Sequence, residues 1–193
     1  MQTVIIFEGV DNTGKTAIAK SLSKLIGIPY FKNPREKEIV KSGDTAVETR
    51  HGVMLMDFLN LTGHSVIFDR NYPSEWAYGL SIRGKCDREG IKMFDAVYSS
   101  MGSIIVYCHK DNPPVDDWLS ADKVKDVVDQ YEVFLGWTDC KVIDLDTSDE
   151  DVFRQLRFIE SSLQKLGHID DAGRLGRALN QAGVGDAGSF AQN

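Results

Sequence analysis

Residues 4–16, Val-Ile-Ile-Phe-Glu-Gly-Val-Asp-Asn-Thr-Gly-Lys-Thr, constrain the fold more than any other stretch of the chain. Val4 to Phe7 form an apolar run without polar alternation, the pattern of a strand buried on both faces of a parallel sheet. Gly9-x-x-x-x-Gly14-Lys15-Thr16 then satisfies the phosphate-binding loop pattern, in which glycines let successive backbone N–H groups curl around an anion without a side chain intervening. A helix must follow, because Ile18, Leu22, Leu25 and Ile26 recur at helical spacing, and Gly27 and Pro29 supply its stop. The anion therefore sits on a helix N-terminus. Gly9, Asn12, Thr13, Gly14, Lys15, Thr16 and Ala17 are the candidate nucleotide-binding residues, with ATP and Mg²⁺ as the expected ligands. Lys15, expected to be exposed, would reach the terminal phosphates, and the Thr16 hydroxyl would ligate Mg²⁺.

A chain of 193 residues fits one α/β domain with an ample core. The formal charge of −7 argues against a nucleic-acid polymer as partner, since counterion release needs a basic face. Small anionic molecules can still be held by local Lys and Arg. No apolar run approaches the length of a bilayer span, and Met1-Gln2-Thr3 leads straight into the first strand, so the expectation is a cytoplasmic protein without a membrane partner. Cys86, Cys108 and Cys140 are odd in number and far apart, which reads as reduced thiols.

Along the chain, Ile28 to Phe31 reads as a second strand ending in the cationic turn Lys32-Asn33-Pro34-Arg35. Ligands of open α/β sheets bind at carboxyl ends of strands, so Arg35 is a candidate for the same crevice as the loop. Thr45-x-x-Glu48 opens a helix that runs to Gly63 and carries Arg50 and His51 as polar oddities. Ser65 to Phe68 is a third strand and delivers Asp69-Arg70 at its carboxyl end. Asp69 suits a role in positioning Mg²⁺ and its waters, or else it caps the next helix; Arg70 offers a planar fork of donors to a second phosphate. Residues 72–100 read as helical with a break at 84–90, where Arg83, Lys85, Arg88 and Lys92 mix with acids as a solvated surface. Ser103 to Cys108 is a fourth strand, and about 109–120 a polar lid without arginine. A helix from Ser120, a fifth strand at 141–145 and a last helix, capped by Thr147 or Ser148 with 149–151 in its first turn, complete the pattern. Beyond Gly167 apolar periodicity is weak, so 168–193 is expected to be a mobile Gly/Ala-rich tail, with room for one marginal helix, outside a domain of residues 1–167.

Phe7 to Thr16, with an acid inside the loop, together with Asp69-Arg70-Asn71-Tyr72-Pro73-Ser74-Glu75-Trp76-Ala77-Tyr78, resembles the thymidylate kinase family over roughly residues 3–166. The chain has Asn71 where that family has an aromatic residue, and it lacks the arginine that the family carries in the loop or the lid; Lys110, Lys123 or Lys125 would have to substitute. The resemblance implies a three-layer α/β/α fold of the P-loop NTPase type, with a five-stranded parallel sheet in the order 2-3-1-4-5 and a homodimer. It also implies that Asp11 binds the acceptor's 3′-hydroxyl, that Arg35 and Arg70 hold its 5′-phosphate, that Arg50 lies near its base, and that Tyr78 packs where a 2′-hydroxyl would sit. The expected reaction is transfer of the ATP γ-phosphoryl group to a deoxynucleoside 5′-monophosphate, dTMP or a related and even modified deoxynucleotide. Lys15, Asp69 and Arg70 would be the catalytic residues, and Thr16 and Asp69 would hold Mg²⁺. Two alternatives stay open: a deoxynucleoside kinase, in which Glu8 or Asp69 takes the proton of a hydroxyl acceptor, and a nucleotide-hydrolysing switch.

Overall fold

The computed structural model describes residues 2–32, 45–112 and 119–182. Five parallel strands, β1 (Val4–Glu8), β2 (Tyr30–Lys32), β3 (Val66–Asp69), β4 (Ile104–His109) and β5 (Lys141–Asp146), form one sheet in the order β2-β3-β1-β4-β5. The central strand explains the three layers. Its residues alternate between faces: Ile5 and Phe7 pack into one apolar cluster, Val4 and Ile6 into another, and all are buried. The first cluster is covered by α1 (Lys15–Ile26), α6 (Val152–Lys165) and α7 (Ile169–Ala182). The second is covered by α2 (Thr45–Thr62), α3 (Tyr72–Tyr78) and α4 (Arg88–Ser100), with α5 (Ala121–Leu135) closing it beside α3. Among the described residues no helix is long and apolar enough to cross a membrane.

Local chemistry sets the helix ends. Gly27, at φ 71°, donates its N–H to Ser23 O and ends α1, and Pro29 prevents its continuation. Asn71 caps α3 by accepting from the Tyr72 N–H. α3 then widens into a π-helical turn, Gly79–Arg83, which closes at Gly84.

The structure corrects two expectations. The cap of α6 is Asp151, whose carboxylate accepts from the Arg154 N–H, and the helix begins at Val152. The Thr147 hydroxyl is unavailable for capping because it donates to His109 O at the end of β4. The second correction is the tail. Residues 169–182 form α7, which packs on α1 and α6 with Ala172, Leu175 and Leu179 in the core. Asp171 fixes it further, accepting from the Thr3 hydroxyl and from Arg174, each at 2.6 Å. The domain therefore extends past 167, and only 183–193 of the expected tail lie outside the described residues.

Candidate active site

Parallel register places the phosphate-binding loop beside the Asp-Arg pair: Phe7 of β1 is level with Asp69 of β3 and Val106 of β4. The loop hugs the sheet so closely that a Cβ on Gly9, at φ 133°, would collide with the Cys108 carbonyl oxygen. Asn12 and Gly14 also take positive φ, 62° and 78°, and the curl delivers the chain into the first turn of α1 at Lys15, Thr16 and Ala17. The Thr13 hydroxyl donates to Val10 O inside the loop.

Lys15 is not exposed. Only 5% of it is accessible; Nζ donates to Val10 O at 2.8 Å and lies 3.9 Å from Asp11 Oδ1. Burial, with repulsion from Arg70, pushes its ammonium down to about 8 despite the neighbouring Asp11 and Asp69.

At one end of the loop, Asp69 Oδ2 accepts from the Thr16 hydroxyl (2.6 Å) and the Tyr30 hydroxyl (2.7 Å) and lies 3.3 Å from Lys32 Nζ. Burial pushes the Asp69 carboxyl up, but the two hydroxyls, Lys32 and Lys15 outweigh it and hold it below the usual carboxylate range. Asp69 does not cap α3, a task that Asn71 performs. The fit to Mg²⁺ is good: a threonine hydroxyl adjoins an ionised carboxylate whose second oxygen, Oδ1, is buried without a hydrogen-bond partner. Thr16 and Asp69 are thus the residues that could hold the metal.

At the other end, Arg70 takes φ 72°, with its N–H on Phe7 O. Nη1 donates to the Ser74 and Tyr131 hydroxyls, each at 3.1 Å, and Nη2 to Asp11 Oδ1 at 2.5 Å and to the Tyr78 hydroxyl at 3.0 Å. The guanidinium also lies 4.8 Å from the centroid of the Tyr78 ring. Asp11, whose negative charge inside an anion-binding loop called for compensation, finds it in Arg70. Burial opposes ionisation of Asp11, but Arg70, Lys15 and Lys32 hold its carboxyl below the ordinary range.

Behind Arg70 lies Glu8, fully buried. Its Oε1 accepts from the Asn71 N–H at 2.7 Å, and its Oε2 from the Ser74 and Tyr131 hydroxyls at 2.6 and 2.9 Å. Burial raises Glu8 to about 7, even though Arg70 and these donors pull the other way.

The structure therefore brings Lys15, Thr16, Asp69, Arg70, Asp11 and Tyr78 together around the loop. Arg35 lies outside the described residues, as do the side chain of Arg50 and lid residues 113–118. Two of the three substitute cations are engaged away from the loop: Lys110 donates to Glu150, and Lys123 to Ser81 O. The surface reading of the 83–92 cluster holds for Lys92, paired with Glu89, but Arg83 is buried against Glu75. Sequence reading missed Tyr30, Ser74 and Tyr131 as polar parts of the site. Tyr131 carried only the helical periodicity of a core position, and it bonds across 61 residues to Arg70.

No protein-family model matches the chain, and no curated protein matches it. Solved structures do. A YorR protein from Bacillus subtilis, in complex with phosphorylated GDP, superposes with TM-score 0.63 at 20% identity, over 84% of this chain and 97% of that one. A thymidylate kinase from Candida albicans gives 0.55 at 16% identity, covering 83% and 92%. A deoxyadenosine kinase from M. mycoides with bound dCTP gives 0.54 at 18% identity, covering 85% and 100%. The chain has the P-loop fold that these proteins share, with its parallel sheet ordered β2-β3-β1-β4-β5.

Proposed function

We propose that the chain is a nucleotide kinase that transfers the γ-phosphoryl group of ATP to the 5′-phosphate of a deoxynucleoside monophosphate, dTMP or a related deoxynucleotide. The observation that carries this reading is Arg70, a buried guanidinium oriented by Ser74, Tyr78 and Tyr131 next to a phosphate-binding loop. A loop for one phosphate and an arginine fork beside it suit two phosphates brought together. In the reaction, the bond from the γ-phosphorus to its bridging oxygen breaks as a bond to an acceptor phosphate oxygen forms, giving ADP and a nucleoside diphosphate. The acceptor oxygen is already anionic and needs no general base. Alignment and charge neutralisation are then the protein's whole task.

Lys15 would exchange Val10 O for the ATP phosphates, and the loop amides would hold them in place. Mg²⁺, held with ATP by Thr16 and Asp69, would neutralise part of their charge. Asp11 orients Arg70, and in this reading its carboxylate would also accept from a 3′-hydroxyl of the acceptor sugar. The same reading has the enzyme acting as a homodimer on small nucleotides in the cytoplasm, in keeping with its net charge of −7. It is favoured over the deoxynucleoside kinase because Glu8, one of the two candidate bases, is sealed, with both oxygens already accepting hydrogen bonds.

The test is Arg70→Met. It should cut kcat/KM for the monophosphate by about 30-fold to 10³-fold while ATP affinity falls far less, because Arg70 contacts the acceptor directly and serves ATP only by compensating Asp11. Loss of ATP binding with acceptor binding retained would reverse the assignment.

A further inference from the structure

We propose that Lys32 is a catalytic residue of this site, its ammonium neutralising the charge on the transferred phosphoryl group. The proposal rests on the kinase reading above. Tyr30 and Lys32 are two residues apart on edge strand β2 and share one face, and register places Lys32 level with Asp69. Both side chains consequently meet at Asp69 Oδ2, at 2.7 and 3.3 Å. Lys32 is also among the positive charges that favour ionised Asp11, which places it within electrostatic reach of the carboxylates at both ends of the loop. Donor and acceptor phosphates must meet between those ends.

The other cations described there already have tasks in that reading. Lys15, now on Val10 O, goes to the ATP phosphates, and Arg70, oriented by Asp11 and by the hydroxyls of Ser74, Tyr78 and Tyr131, serves the acceptor phosphate. Lys32 is different: its side chain is 44% exposed on a flexible four-carbon stem. Its departure leaves Asp69 Oδ2 still accepting two hydroxyl hydrogen bonds. An ammonium and a divalent cation beside a single carboxylate would repel one another, so with Mg²⁺ held by Thr16 and Asp69 the Lys32 ammonium would turn toward the phosphates. There it meets the negative charge spread over the γ-phosphoryl oxygens while one P–O bond breaks and the other forms.

The experiment compares Lys32→Met and Lys32→Arg with the wild-type chain, after thermal melts show all three folded. Lys32→Met should lower kcat about 10²-fold or more with KM for both nucleotides within about 3-fold, and Lys32→Arg should recover to within about 10-fold of wild type. In parallel, Mn²⁺ titration in the presence of ADP, followed by the EPR signal of free Mn²⁺, should show several-fold tighter binding in Lys32→Met. Wild-type kcat in the Met variant, no rescue by Arg, or unchanged Mn²⁺ affinity overturns the proposal. Absence of transfer by the wild-type chain to any monophosphate overturns the kinase reading instead, and the Mn²⁺ comparison still decides whether Lys32 occupies the cation side of Asp69.

Discussion

Individual residues in this site balance burial against charge, and that balance yields measurable pH behaviour. Folding raises Glu8 from an ordinary 4.5 to about 7, so between those values the native state holds a proton that the unfolded chain has released. The associated stability is complete below about pH 4.5 and is lost as pH rises through 7. Urea unfolding at pH 5 and pH 8 should show this fall, on the order of 3 kcal/mol at most, and Glu8→Gln, which cannot ionise, should flatten it. Lys15 runs the other way. Its ammonium is lowered to about 8, so its burial costs stability at pH 7, a cost relieved as pH rises from 8 toward 10.5. Lys15→Met should therefore raise Tm at pH 7 while cutting kcat about 10²-fold or more. Wild-type turnover in that variant would remove Lys15 from the chemistry. The residue types at 9, 14, 15 and 16 were legible because a contiguous motif carries its own geometry, and those at 69 and 70 because they stand at the carboxyl end of an apolar strand. The burial of Lys15 and the Asp11–Arg70 pair were not, because both depend on which atoms surround them once the loop folds onto the sheet.

At the level of elements, β1 and α1 read directly from sequence because an apolar run and a helical repeat meet at a glycine loop. The last two helices were harder. α7 read as no more than a marginal helix, and its docking was not legible, because its core positions include Ala172 beside Gly173 and Gly176, which add little to an apolar count. A Cβ at Gly176 would meet only the Glu160 carboxylate of α6, the far end of a flexible side chain that can move aside. Leu175 and Leu179 are fully buried, and Leu175→Ala should cost about 2–5 kcal/mol in urea unfolding. A near-neutral result would mean that α7 is not docked. The cap of α6 gives a sharper contrast. Asp151→Ala should cost about 0.5–2 kcal/mol and Ser148→Ala much less, since Asp151 alone of the two receives a helix N–H.

The whole molecule is a scaffold that brings distant segments to one edge of a sheet. Placing β1 between β3 and β4 sets the loop against Asp69 and Arg70, β2 adds Tyr30 and Lys32 from the edge, and α5 adds Tyr131 behind Arg70. The strand order was legible only through likeness to a known family; the periodicity alone gave strands and helices without their neighbours. Long-range partners such as Glu8 and Tyr131, 123 residues apart, leave no mark in local pattern and emerge only from packing. The central claim is that this arrangement joins two phosphates and does not activate a hydroxyl or water. The direct measurement is transfer of label from γ-labelled ATP to a panel of deoxynucleosides and their 5′-monophosphates, with products separated by charge. The account predicts ADP and a labelled nucleoside diphosphate, formed only when a monophosphate is present. Labelled monophosphates from nucleosides, or free phosphate released at one rate whatever the acceptor, would contradict it.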